Sequence, residues 1–140
     1  MRSTDGYCGR HEAICYMNSE DMKQRTKAFA VGAIRFCRTL PATVEGRVIA
    51  GQLIRSSSSI GANYRAACRA RSRREFAAKI GIVLEEADES VFWCELAVES
   101  GVAKIEAISP LLNEAGELVS IMAASKLTLE RKVASRKSSI

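Results

Sequence analysis

Five arginines fall within ten residues, at Arg65, Arg69, Arg71, Arg73 and Arg74. A guanidinium presents its N–H groups as a planar fork that matches two phosphate oxygens. Each such contact on a polyanion releases counterions and adds salt-sensitive affinity. Arg55 precedes the cluster and Lys79 follows it. The chemistry open to these side chains is electrostatic, the holding of an RNA or DNA backbone by shape and charge. No recognition-helix pattern, aromatic RNA-binding string or zinc knuckle accompanies them, so readout of individual bases is not expected. A competing account needs no ligand: a solvated helix junction whose arginines pair with Glu75 and the acidic segment beyond it.

Other chemistries find fewer residues. The run Glu85-Glu86-Ala87-Asp88-Glu89 has the i,i+3 carboxylate spacing of a di-metal bundle. Such a centre also needs Glu-x-x-His pairs, and the single histidine is His11, outside the periodic part of the chain. Cys8, His11 and Cys15 offer one short ligand set with no second pair to complete a zinc site. No Ser or Cys within the periodic region has a histidine to act as base, and neither GxGxxG nor GxxxxGK[ST] occurs. The sequence therefore reads as a non-enzyme without catalytic residues, metal or cofactor. Glu86 and Glu89 are expected to turn toward arginines or Asn63 of a neighbouring helix, as structural polar groups.

The elements that must position these residues are helical. At 140 residues the chain suits one domain, and 47% hydrophobic content excludes disorder throughout. Two prolines and 6% aromatics argue against an all-β fold. The formal charge of +5 is segregated along the chain: +9 over residues 1–74, −8 over 75–125 and +4 over 126–140. Pairing between segments, or a dipolar surface, must follow. Five cysteines, an odd number without a CxxC, and no signal-peptide core point to a reducing cytoplasm. Cys37, Cys68 and Cys94 fall on apolar helix faces and read as small buried hydrophobes. No stretch of 18 apolar residues exists to span a membrane.

Residues 1–21 lack periodicity and read as a flexible extension, with the bundle over 22–132 and a frayed basic tail over 133–140. Phe29, Ala33, Phe36 and Leu40 mark the first helix, ended by Pro41. Thr43 caps a second, from Val44 to Ala70, with a seam of Ile49, Leu53, Ser56, Ile60, Asn63, Ala67 and Ala70. Its Ser56–Ser59 run is poor in helix propensity, yet the apolar phase continues through it, so a continuous helix with room for a close neighbour is expected. Ser72 and Glu75 form a capping box for the third, whose inner stripe runs from Phe76 to Ala97 and which Gly101 ends. Ser109-Pro110 marks the start of the fourth, reaching about Lys132. Four long helices on short connections predict an all-α, antiparallel up-down four-helix bundle.

The string Gln52-Leu-Ile-Arg-Ser-Ser-Ser-Ser-Ile-Gly-Ala-Asn63-Tyr64, followed by Ser72-Arg-Arg-Glu-Phe-Ala-Ala-Lys79, resembles the bacterial four-helix-bundle proteins related to the 23S rRNA intervening-sequence proteins. The resemblance continues through Ile82–Ser90, Trp93, Glu114–Leu118 and Ala124-Ser125. It implies a small cytoplasmic up-down bundle assembling as a ring-like homo-oligomer, most often a pentamer. A similar bundle serves diversity-generating retroelements as an accessory subunit that binds nucleic acid and a reverse transcriptase. Where one branch of that family has an acidic-Gly pair after Ala-Asn, this chain has Arg65-Ala66-Ala67, which makes its junction more basic. The expected function is a non-enzymatic homo-oligomer that binds nucleic-acid backbone through an arginine-rich rim. The alternative is a protein-binding adaptor or scaffold without nucleic-acid affinity, suggested by the broad apolar circumference of the third helix.

Overall fold

The structure, a computed structural model, describes residues 18–138, which form four α-helices and no strand. They are α1 (Ser19–Cys37), α2 (Val44–Ala67), α3 (Arg73–Glu99) and α4 (Ile105–Ser138). Cys8, His11 and Cys15 lie outside the described residues.

Local chemistry sets most boundaries. Asn18 caps α1 by accepting from the Asp21 N–H at 2.8 Å, so the helix begins three residues before the expected Met22. Thr43 accepts from the Gly46 N–H at 3.1 Å, as its position predicts. Ser72 accepts from the Glu75 N–H at 3.0 Å, while the Glu75 carboxylate reaches back past Ser72 to the Arg71 N–H at 2.8 Å. Gly101, at φ 79°, turns the chain out of α3 as expected.

Two boundaries differ from expectation at α4. The helix starts at Ile105 and runs through Pro110, so Ser109 is no cap. A proline inside a helix removes one backbone bond and crowds the preceding turn, at a cost of about 3 kcal/mol. Fully buried Ile108 offsets much of that, since burying such a side chain contributes about 1.5–3 kcal/mol. At the other end, residues 133–138 are helical rather than frayed. Val133 stands one turn beyond buried Leu129 and is itself half-buried, extending the apolar stripe.

Each helix packs on the next, and α1 also meets α4 to close the bundle. The core has two layers. One unites Met22 and Phe29 of α1, Ile60 and Tyr64 of α2, Phe76 and Ile80 of α3, and Met122 and Leu129 of α4. The other joins Ala33 and Cys37 of α1, Ile49 and Leu53 of α2, Cys94 and Ala97 of α3, and Ile108 of α4. Helix starts thus meet helix ends, which makes the bundle antiparallel and up-down.

The serine run is helical throughout. Ser56 and Ser57 are buried, and the Ser90 hydroxyl of α3 donates to Ser56 Oγ at 2.9 Å. The Ser56 and Ser57 hydroxyls donate to carbonyls within α2, and the Ser90 proton is shared with the Glu86 carbonyl 2.9 Å away. A Cβ placed on Gly61 would stand 3.6 Å from the Lys27 nitrogen, so small residues do admit the α1 backbone. Asn63 departs from the expected seam. Its amide donates to the Ser59 carbonyl at 2.9 Å, half-buried, and Tyr64 takes the inner position at 0% exposure. A phenol ring buries far more apolar area than an amide, which decides the rotation of the helix.

Candidate nucleic-acid interface

The arginine cluster occupies the α2–α3 junction. Arg65 lies in the last turn of α2, Arg69 and Arg71 in the connection, and Arg73 and Arg74 in the first turn of α3. All are exposed except half-buried Arg73. Among the described residues, none of the five side chains forms an ion pair, and neither does half-buried Lys79 on the next turn of α3. Glu75, the nearest carboxylate in sequence, is engaged by the Arg71 backbone. Arg73 and Arg74 also stand at the positive end of the α3 dipole, where cations repel. Positive potential is therefore left uncompensated at this junction.

Arg55 is placed differently. Ten residues before Arg65, it lies about 15 Å further along the helix. Its guanidinium donates to Glu86 at 3.2 Å and also to Glu89, tying α2 to α3. Glu89 further accepts from the Trp93 indole N–H at 3.2 Å. Both glutamates thus turn toward an arginine, as the sequence suggested, and neither meets Asn63. Its pairing with Glu86 and Glu89 gives Arg55 a structural task between α2 and α3.

A second strap was invisible in sequence. Arg25 of α1 donates through Nε and Nη2 to the two oxygens of Glu114 on α4, at 2.6 and 3.0 Å, and also to Glu117. The hydrogen bonds Arg25 donates to Glu114 raise its pKa above the ordinary value, against the smaller opposing effect of burial. These partners are 89 residues apart, so no local pattern announces them. Together the two straps use four carboxylates of the acidic segment, and the arginine junction receives none of them.

Antiparallel order brings further cations to the same end. The start of α3 faces the last turns of α4, so Lys126 and Lys137 line a cleft together with Arg74. The basic α2–α3 junction and the basic last turns of α4 therefore meet at this end.

Buried Cys37 and Cys94 carry no such function. Burial pushes the Cys37 thiol up to about 11, and burial together with Cys37 and Glu95 pushes Cys94 up to about 12. Both are protonated, poor nucleophiles at neutral pH. Cys68, expected to be buried, is half-buried at the end of α2. No group of three His, Cys, Asp or Glu side chains among the described residues is placed to hold a metal, and no helix there is long and apolar enough to cross a membrane.

These features define a class: a small all-α up-down bundle with two arginine–carboxylate straps between its helices and an arginine cluster at one end. The chain belongs to the 23S rRNA-intervening sequence protein family, whose model matches residues 18–124. It is similar to a crystal structure of a protein with unknown function from the S23 ribosomal protein family of Bacteroides thetaiotaomicron. Identity is 32%, covering 71% of this chain and 93% of that one, with a TM-score of 0.66. No curated protein matches the chain.

Proposed function

We propose that the protein is a non-enzymatic, cytoplasmic homo-oligomer, pentameric as in the resemblance noted above, whose arginine-rich end holds the phosphate backbone of RNA or DNA. One observation carries the reading: Arg65, Arg69, Arg71, Arg73 and Arg74 lack ion-pair partners among the described residues, while Arg25 and Arg55 are held by carboxylates. This favours a phosphate surface over a junction neutralised within the fold. Five guanidiniums on phosphates give a slope of log K against log salt of about −3.5 to −4.5. Fluorescence anisotropy with generic RNA and DNA between about 50 and 200 mM salt tests it. Absence of binding at the lower salt would overturn the proposal. Light scattering checks assembly, where a persistent 15.3 kDa species contradicts the oligomer.

A second reading has its own observation. Phe92 is 52% exposed, edge-on to Trp93, on a face of α3 that also carries Glu85, Asp88 and Glu95. That face suits a protein partner, a reverse transcriptase in the retroelement resemblance, or another subunit. Pull-down that survives nuclease treatment and is lost in Phe92→Asp supports an adaptor.

A further inference from the structure

We infer that the cleft between the start of α3 and the end of α4 takes a single strand of nucleic acid. The inference rests on the phosphate-binding reading and gives it a groove and a substrate class. The cleft measures about 410 Å³ and is lined by Arg74, Ala77 and Ala78 of α3 and by Lys126, Glu130, Val133, Ala134 and Lys137 of α4.

Its charge suits a polyanion. Three cations face one carboxylate, and Glu130 is already engaged by Lys126 at 3.8 Å. Arg74 and Lys137 have no ion-pair partner among the described residues. The Lys126 side chain lies across the seam between the helices, because Gly81 opposite has no side chain. A Cβ there would stand 3.2 Å from Lys126 Nζ. From Lys126 to Lys137 is eleven residues, about 16 Å along α4, so the cations are strung out as a track.

Its apolar floor favours one strand. Unpaired bases can lay their faces on such a floor, while a duplex keeps its bases stacked inside and presents only phosphates and groove edges. A duplex can meet the cations of this cleft but gains nothing from the floor between them. The floor of Ala77, Ala78, Val133 and Ala134 is apolar and shallow, able to cover base faces and unable to read their edges. With no aromatic side chain in the lining, stacking contributes little and base preference is weak. The arginines of the α2–α3 junction then continue the same backbone track past Arg74.

The test is anisotropy at low salt with matched single-stranded and duplex RNA, using the full chain and the variants Ala78→Glu, Lys137→Ala and Arg69→Ala. Ala78 is exposed, so glutamate is accommodated on the helix, and circular dichroism confirms folding of each variant. Ala134→Glu repeats the perturbation from α4. The expected result is tighter binding of the single strand and about a tenfold loss of that affinity in Ala78→Glu, from the one carboxylate introduced into the groove. Lys137→Ala lowers the single-strand salt slope by about 0.7. Arg69→Ala weakens single strand and duplex alike. Equal binding of both forms, unchanged in Ala78→Glu and Ala134→Glu, overturns the groove and leaves the rim reading standing. No binding of either form overturns the rim reading itself, and the groove with it.

Discussion

Alanine in place of glycine should act with opposite signs at two positions five residues apart on α2. Gly46 lies in the first turn, under the connection from α1. A Cβ there would stand 2.2 Å from the Pro41 carbonyl oxygen and 3.0 Å from Thr43 Oγ1. The first is backbone and the second is the cap of α2, so neither can yield without moving the turn. Overpacking of this kind costs about 1–3 kcal/mol, and losing the Thr43 cap adds about 1 kcal/mol. The better helix propensity of alanine returns about 1 kcal/mol, leaving Gly46→Ala destabilised by about 1–3 kcal/mol. At Gly51 a Cβ meets nothing within 4 Å. There the propensity gain stands alone, and Gly51→Ala is stabilised by about 0.5–1 kcal/mol. Urea unfolding followed by circular dichroism at one fixed protein concentration reads both, because assembly makes the midpoint concentration-dependent. A Gly46→Ala protein as stable as the parent would refute the tight junction between Pro41 and α2.

Three further expectations follow from the same contacts. Removing the α1–α4 strap with Arg25→Met should cost about 1–2 kcal/mol. A double-mutant cycle with Glu114→Gln should recover a coupling, which would vanish if α1 were held only by packing. Ser90→Ala deletes the donor to buried Ser56 and should lower stability by about 1 kcal/mol, whereas Ser58→Ala, at an exposed site, should stay near neutral in the same assay. Alkaline pH should weaken the bundle through Cys37 and Cys94. An unfolded thiol ionises near 9.0 and the buried ones near 11 and 12, so protons leave the unfolded chain first. Stability is therefore full below pH 9.0 and falls as pH rises toward 11. Urea midpoints from about pH 8 to about 11 should decline less steeply in the Cys37→Ala/Cys94→Ala protein, and parallel declines would dismiss the thiols as the cause.

The helices were legible because their signals are local. Thr43, Ser72 and Gly101 act through neighbours one to three residues away, and the stripe from Phe76 to Ala97 repeats at the helical period. The structure departs from those signals where a non-local contact outweighs a local rule. Pro110 with Ser109 reads as a helix start, but burial of Ile108 against α1, α2 and α3 draws the helix upstream. Asn63 and Tyr64 are adjacent and either could face inward, and ring burial decides between them. At the candidate site the arginine cluster was visible as composition, yet its lack of partners was not. That property depends on where Glu86, Glu89 and Glu114 spend their charge, and Arg25–Glu114 joins residues 89 apart in sequence. The convergence of Lys126 and Lys137 on Arg74 likewise follows only once helix direction is known.

Helix direction also settles where this molecule can be handled. Asn18 and the last turn of α4 both lie at the end that carries the arginines, so anything fused there would crowd the proposed phosphate surface. The α1–α2 turn near Ala42 and the α3–α4 turn at Gly101–Lys104 lie at the opposite end, exposed or half-buried. A fluorophore, an affinity tag or an inserted domain placed in those turns would leave the basic end open. Such a handle would anchor the bundle to a sensor surface with its cations pointing into solution.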